Sequence, residues 1–293
     1  RLMQGIFMGA SAVVIRSIFA DILPADRLLR MGTMLGTMWG VGPVIGPIVG
    51  SYLQVHIGWQ ANFSLFALLT FIEFLAVFFI VPETLRVRQS LCFASLKHNF
   101  MEVISNRFFV ALSVMMGIVY SLIISFNTMG PFLIEEQFGY TPIFFGRLAL
   151  GLGAMFLGAT FVCRYFLKKN TFKRLVFIVT HFALFVAMTG LFITFSASHS
   201  VVLITLVSAV MYFTCGFIFP LSMGRGMSMF RHMAGTASAT MYFINVLLTS
   251  SINFLVSFIH AETMQTLFMI YVGLLLVCIF IYWMIIRPCV AKQ

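Results

Sequence analysis

Nine apolar stretches follow one another along this chain of 293 residues, each close to the roughly 20 residues needed to cross the hydrocarbon core of a bilayer. They fall at 2–20, 33–54, 62–81, 109–129, 144–163, 175–195, 201–221, 234–259 and 265–286. Each is too long and too continuously apolar for a barrel strand, so helices are expected. Only 9% of the residues are charged, against about a quarter in a soluble domain. So few charges cannot wet the surface of a water-soluble globule. The fold class expected is an all-α polytopic membrane protein.

A net charge of +10 raises the possibility of a nucleic-acid partner, but the placement of the charges excludes it. The 35 Phe residues sit mostly inside the apolar runs, and no basic run interleaves with solvent-facing aromatics. Cys92, Cys163, Cys215, Cys278 and Cys289 are scattered singly with no CxxC pair. That argues against a disulfide framework and against a metal site, and no cofactor is expected.

The charges do orient the chain. The connections after the odd-numbered spans hold Arg27 and Arg30; Arg86, Arg88, Lys97 and Arg107; Arg164, Lys168, Lys169, Lys173 and Arg174; Arg225 and Arg231; Arg287 and Lys292. Those are 15 of the 18 Lys and Arg residues. The connections after the even-numbered spans hold Glu135, Glu136 and Glu262 and no basic residue. By the positive-inside rule the odd spans end in the cytoplasm, and so does the C-terminus.

The chain opens on Arg1, inside a span already under way, with no charged leader. The expectation drawn from this is that helices precede it. Three more would make a plan of six helices, a central loop and six helices. In that plan 1–81 is the second half of a first six-helix repeat, 82–108 the cytoplasmic loop and 109–293 the second repeat. Within the loop, Phe93, Leu96, Phe100, Val103 and Ile104 fall near helical spacing. They fit a short helix on the inner membrane surface, although a plain tether remains open.

The second span carries glycines four apart at Gly36 and Gly40, and again at Gly42, Gly46 and Gly50. That spacing makes a bare stripe on which another helix can pack closely. Pro43 and Pro47 each remove a backbone donor and can bend the helix, so the span is expected to be central and tightly packed.

Gly42-x3-Gly46-Pro47-x2-Gly50 resembles the fifth-helix antiporter motif of major-facilitator drug–proton exporters, with Ser51 where the motif ends in glycine. The opening Arg1-x2-Gln4-Gly5 is similar to that superfamily's fourth-helix motif. Arg16 to Asp21 resembles the inner end of that helix in the bicyclomycin-resistance (Bcr/CflA) type. Gly58-Trp59-Gln60 and Pro82-Glu83-Thr84-Leu85 resemble the start and close of helix six, with Gln60 in an arginine's place. Gly216-x3-Pro220 and 234–239 resemble helix ten and the start of helix eleven.

The resemblance implies a secondary transporter of the major-facilitator fold, with nine of twelve helices in this chain. It is not an enzyme, and no Walker-type loop supports ATP drive. The resemblance further implies a monomer in the cell inner membrane, exporting small amphipathic or drug-like compounds against protons. The alternative is a non-transporting or inactive membrane fragment.

A proton-coupled exporter needs ionisable or polar groups within the membrane, where each charge costs roughly 2.5–3.5 kcal/mol on insertion scales. Arg1 and Gln4 are candidates through the fourth-helix motif. Glu73 is the only carboxylate well inside a span, and burial would let it exchange a proton near neutrality. Asn127 and Asn245 are polar groups within spans, as are Asn253 and His181. Interhelical hydrogen bonding explains such groups as readily as ligand contact. Arg147, near the outer start of the fifth span, is expected to snorkel to the interface. Gly42, Gly46, Pro47 and Gly50 are expected to pack, and Arg16 with Asp21 to form a cytoplasmic gate.

Overall fold

A computed structural model describes residues 2–22, 41–42, 45–83, 93–167, 171–195, 200–230, 233–258 and 263–289. All of the regular structure among them is helical. The helices are α1 (Leu2–Ile22), α2 (45–56), α3 (Gln60–Ile80), α4 (Phe93–Ser105), α5 (Arg107–Pro131), α6 (Pro142–Leu167), α7 (Phe172–Phe195), α8 (Val201–Met229), α9 (Ala234–Phe258) and α10 (Met264–Ile281). Two of them run on as π-helical turns, α5 through Phe132–Gln137 and α10 through Tyr282–Ile286, which leads into Arg287–Cys289.

Among the described residues seven helices are long and apolar enough to cross a membrane: α3 and each of α5 to α10. They coincide with seven of the nine expected spans. The first expected span, 2–20, is the helix α1. The second, 33–54, lies partly outside the described residues, which are helical at 41–42 and from 45 onward. The loop helix also forms. α4 buries Val103 completely and packs on α5 and α9, while Lys97 and His98 stay exposed.

Local chemistry sets where the helices begin. Asn106 caps α5, its side chain accepting from the N–H groups of Phe108 (3.1 Å) and Phe109 (3.0 Å), which satisfies two orphan donors of the first turn. Ser200 caps α8 through the Val202 N–H, and Thr263 caps α10 through the Thr266 N–H. Between α2 and α3 the chain turns at Gly58, whose φ of 116° is closed to residues with a Cβ.

The buried hydrophobic core runs from Val103 to Ile286. α5 is its centre and packs against α8, α9 and α10, while α8 also meets α6 and α7, and α7 lies along α10. Helix packing in lipid depends on close van der Waals contact rather than on water exclusion, and glycines supply it here. A Cβ added to Gly216 of α8 would fall on the Phe156 carbonyl of α6, with the Phe156 C and Cα atoms both 2.9 Å away. α8 continues eight residues past the expected end at 221, because Met223, Gly226 and Met227 are buried.

Candidate functional site

The expected site residues fall in three places. Arg1 lies outside the described residues. Arg16 and Asp21 are on α1, but their side chains are outside the description. Gln4, also on α1, lines a cavity of about 520 Å³ whose other walls are Phe63, Phe66, Ala67, Thr70, Phe71 and Phe74 of α3. The cavity is apolar apart from Gln4 and Thr70, a composition that suits a mostly apolar ligand with few polar contacts.

Glu73 stands on the same helix but not among the lining residues. It is exposed, and no residue of α3 is buried. The enclosure by protein that the expectation relied on is therefore absent among the described residues.

Of the glycine stripe, Gly36 and Gly40 lie outside the described residues. A Cβ at Gly42 or Gly46 would meet no atom within 4 Å among the described residues, and one at Gly50 would only touch Asn62 Oδ1 at 3.4 Å. The close approach is made instead by the partner helix. A Cβ on Gly146 of α6 would strike Ser51 Oγ and come within 3.1 Å of both Ile48 Cα and the Pro47 carbonyl. Pro47 thus lies in the α2–α6 contact while the stripe glycines described do not. Beside it, Arg147 does more than snorkel: its Nη2 donates to the Tyr52 hydroxyl at 3.3 Å, tying α6 to α2.

The densest polar arrangement sits on α5. Tyr120, Ile124, Asn127 and Pro131 are spaced four, three and four residues apart, so they share one helix face, and all four are half-buried. The fully buried Tyr212 of α8 donates its hydroxyl to Asn127 Oδ1 at 2.9 Å. Tyr212 is backed on α8 by Ser208, which pairs with Tyr271 of α10 at 3.2 Å. On the next position of α5, the Thr128 hydroxyl reaches Asn253 Oδ1 of α9 at 2.7 Å. Residues 127 and 128 are therefore a node joining α5 to α8 and α9.

Pro131 adds to the chemistry of this node. It follows Asn127 by four residues and has no N–H, so the Asn127 carbonyl loses its helical donor. The ordinary helical bond to the Asn127 carbonyl is thus missing beside an amide whose oxygen is already engaged. Nearly three turns lower, Gly117 lets α9 come close: a Cβ there would lie 3.1 Å from Leu248 Cβ and 3.4 Å from Asn245 Cα. Asn245 is almost wholly buried, and its Oδ1 has no hydrogen-bond partner among the described residues. A buried acceptor left unmatched costs roughly 1–3 kcal/mol, which marks it as a group awaiting a donor.

The reading of the residues alone missed Tyr212, Thr128 and Gly146. Nothing in an apolar run distinguishes a tyrosine that holds an asparagine from one that faces lipid. The spacing of Asn127 and Pro131 was the one signal in the sequence pointing to this node.

The Major Facilitator Superfamily model matches residues 1–252. The chain is also 26% identical over 289 residues to Multidrug resistance protein MdtL of Citrobacter koseri, covering 98% of this chain and 72% of that protein. It is 24% identical over 241 residues to the proteins of the same name from Escherichia coli O157:H7 and Shigella dysenteriae, covering 82% of this chain and 60% of each of them. With the family model covering most of its length and an all-helical membrane fold to match, the chain belongs to the Major Facilitator Superfamily of membrane transporters.

Proposed function

We propose that the chain serves proton-coupled export of drug-like compounds, as a transporter of the bicyclomycin-resistance (Bcr/CflA) type. The observation that carries this reading is the Asn127 node, an amide on the half-buried face of the central helix α5, held by Tyr212. Such a site fixes one polar group of a ligand and leaves its apolar body to adaptable contacts. The relatives named Multidrug resistance protein support the same substrate class. In this proposal the chain is a monomer of the inner membrane with its C-terminus in the cytoplasm. Residues 1–81 and 109–293 belong to two repeats that rock about a midplane site.

The proposed pathway comprises Arg1, Gln4, Glu73, Asn127 and Asn245. Gln4 stands in the α1–α3 cavity, and the two asparagines stand on neighbouring helices of the second repeat. Glu73, on the spanning helix α3, is assigned the exchanged proton, and Arg16 with Asp21 the cytoplasmic gate. Glu73→Gln is expected to abolish uncoupler-sensitive ethidium efflux from whole cells while leaving ethidium binding to the purified protein within about two-fold of wild type, well under the tenfold of a 1.4 kcal/mol change. Full efflux by this variant removes Glu73 from the pathway.

A second reading, a membrane protein that does not transport, is favoured by one feature: α3 buries no residue. Efflux by the wild-type chain separates the two.

A further inference from the structure

We propose that the paired ends of α7 and α10 form a binding site for the headgroup of an anionic phospholipid. α7 and α10 pack along one another, and Trp283 near the end of α10 touches Phe177 and His181 near the start of α7. The His181 ring is fixed in one tautomer. Its Nδ1 lies 2.8 Å from the Phe177 carbonyl, an acceptor only, so Nδ1 carries the proton. Nε2 is then the acceptor for the Trp283 indole N–H at 3.4 Å. The indole held in this way is the platform for Arg287, whose guanidinium carbon sits 4.2 Å from the ring centroid, a cation–π contact.

A guanidinium held over a ring face can still offer its N–H fork to a phosphate. Lys173 and Arg174 begin α7, one turn before Phe177, at the same end of the molecule as Arg287. The helices that carry these charges hold no acidic residue of their own. The sequence has no Asp or Glu from Gln137 to Ala261 and none after Glu262, whereas 164–174 alone holds five basic residues. An anion from outside the chain would complement this basic cluster.

The surroundings select a lipid as its source. Trp283 and Phe177 are themselves exposed, at the depth where aromatic rings sit between headgroups and acyl chains. Further along the same two helices Phe182 and Phe280 are exposed, offering apolar surface to the acyl chains of a lipid whose phosphate lies at Arg287. A soluble anion would gain nothing from that surface.

Bilayer reconstitution with brominated lipids tests the assignment. In a Trp39→Phe/Trp59→Phe background Trp283 is the one indole left, and bromine quenches it only at contact. Quenching by dibrominated phosphatidylglycerol is expected to exceed that by dibrominated phosphatidylcholine at equal bromine content. Each basic residue near an anionic surface contributes about five-fold in local lipid preference. Arg287→Gln and, independently, Arg174→Gln are each expected to reduce the preference by about that factor, with helical content by circular dichroism unchanged. Equal quenching by the two lipids, or a preference untouched by both variants, overturns the site. Displacement by inorganic phosphate beyond that by chloride of equal ionic strength would make it a free-anion site and overturn the lipid assignment. Neither readout depends on transport.

Discussion

Gly216→Val is expected to leave little folded protein, and Gly216→Ala to destabilise the bundle by about 3 kcal/mol, the upper part of the usual range for overpacking. The reason is what the added carbon meets. At Gly216 it meets the backbone of Phe156, which cannot swing aside as a side chain can. α6 and α8 must separate along their length, and the buried contacts of Phe156, Cys215 and Phe219 loosen with them. The control lies one turn-pair away on α6. A Cβ at Gly151 or Gly158 meets no described atom within 4 Å, so Gly151→Ala and Gly158→Ala are expected to be neutral or slightly stabilising through helix propensity. Thermal unfolding of the purified variants in detergent, followed by circular dichroism, separates the two outcomes. A Gly216→Ala protein that melts with wild type would show that α6 and α8 do not pack as described.

Asn127→Leu is expected to lower drug export by about ten-fold or more, the equivalent of losing roughly 1.4 kcal/mol of ligand interaction. It does so in two ways. It removes the amide that meets the ligand, and it strands the buried Tyr212 hydroxyl that had donated to Asn127 Oδ1. Tyr212→Phe distinguishes the two contributions. It keeps the amide but frees it to rotate, so the concentration for half-maximal transport rises by about three- to ten-fold, as expected for one neutral hydrogen bond, while the maximal rate changes less. A Tyr212→Phe protein whose half-maximal concentration matches wild type would remove Tyr212 from the positioning of Asn127. If Asn127→Leu transports normally, the node is purely structural.

The helices themselves were legible because the physics that makes them is one-dimensional. A run of about 20 apolar residues has few alternatives in lipid, and, leaving out the π-helical turns, α5 to α10 follow the runs to within about five residues, save at one end. That exception, α8, shows the limit. After Pro220 the sequence turns to Ser222, Gly224 and Arg225, which reads as a loop. The helix persists because Gly226 and Met227 are buried, with Met241 of α9 close against Gly226. Tertiary contact there outweighs local composition.

The same division governs the glycines. The spacing of Gly42, Gly46 and Gly50 describes a surface able to receive a helix, but spacing carries no information about which surface is used. Of the described glycines, those in tightest contact are Gly146 and Gly216, neither of which stands out by repeat. For the site, Asn127 was visible as a polar group within a span and Gln4 through a motif. The hydroxyls that orient the asparagines were not, because a hydrogen bond between α5 and α8 depends on helix rotation that the sequence does not display. Glu73 was visible for its charge, while its exposure on α3 was not.

Export coupled to protons is the central claim, and ethidium transport in proteoliposomes tests it most directly. With the chain reconstituted and an inward-acidic gradient imposed, the account predicts ethidium accumulation together with proton efflux reported by a trapped pH dye. With an uncoupler, which lets protons leave on its own, accumulation and the ethidium-dependent part of the proton efflux should both vanish. Accumulation no greater than in empty liposomes, or accumulation indifferent to the gradient, would contradict it.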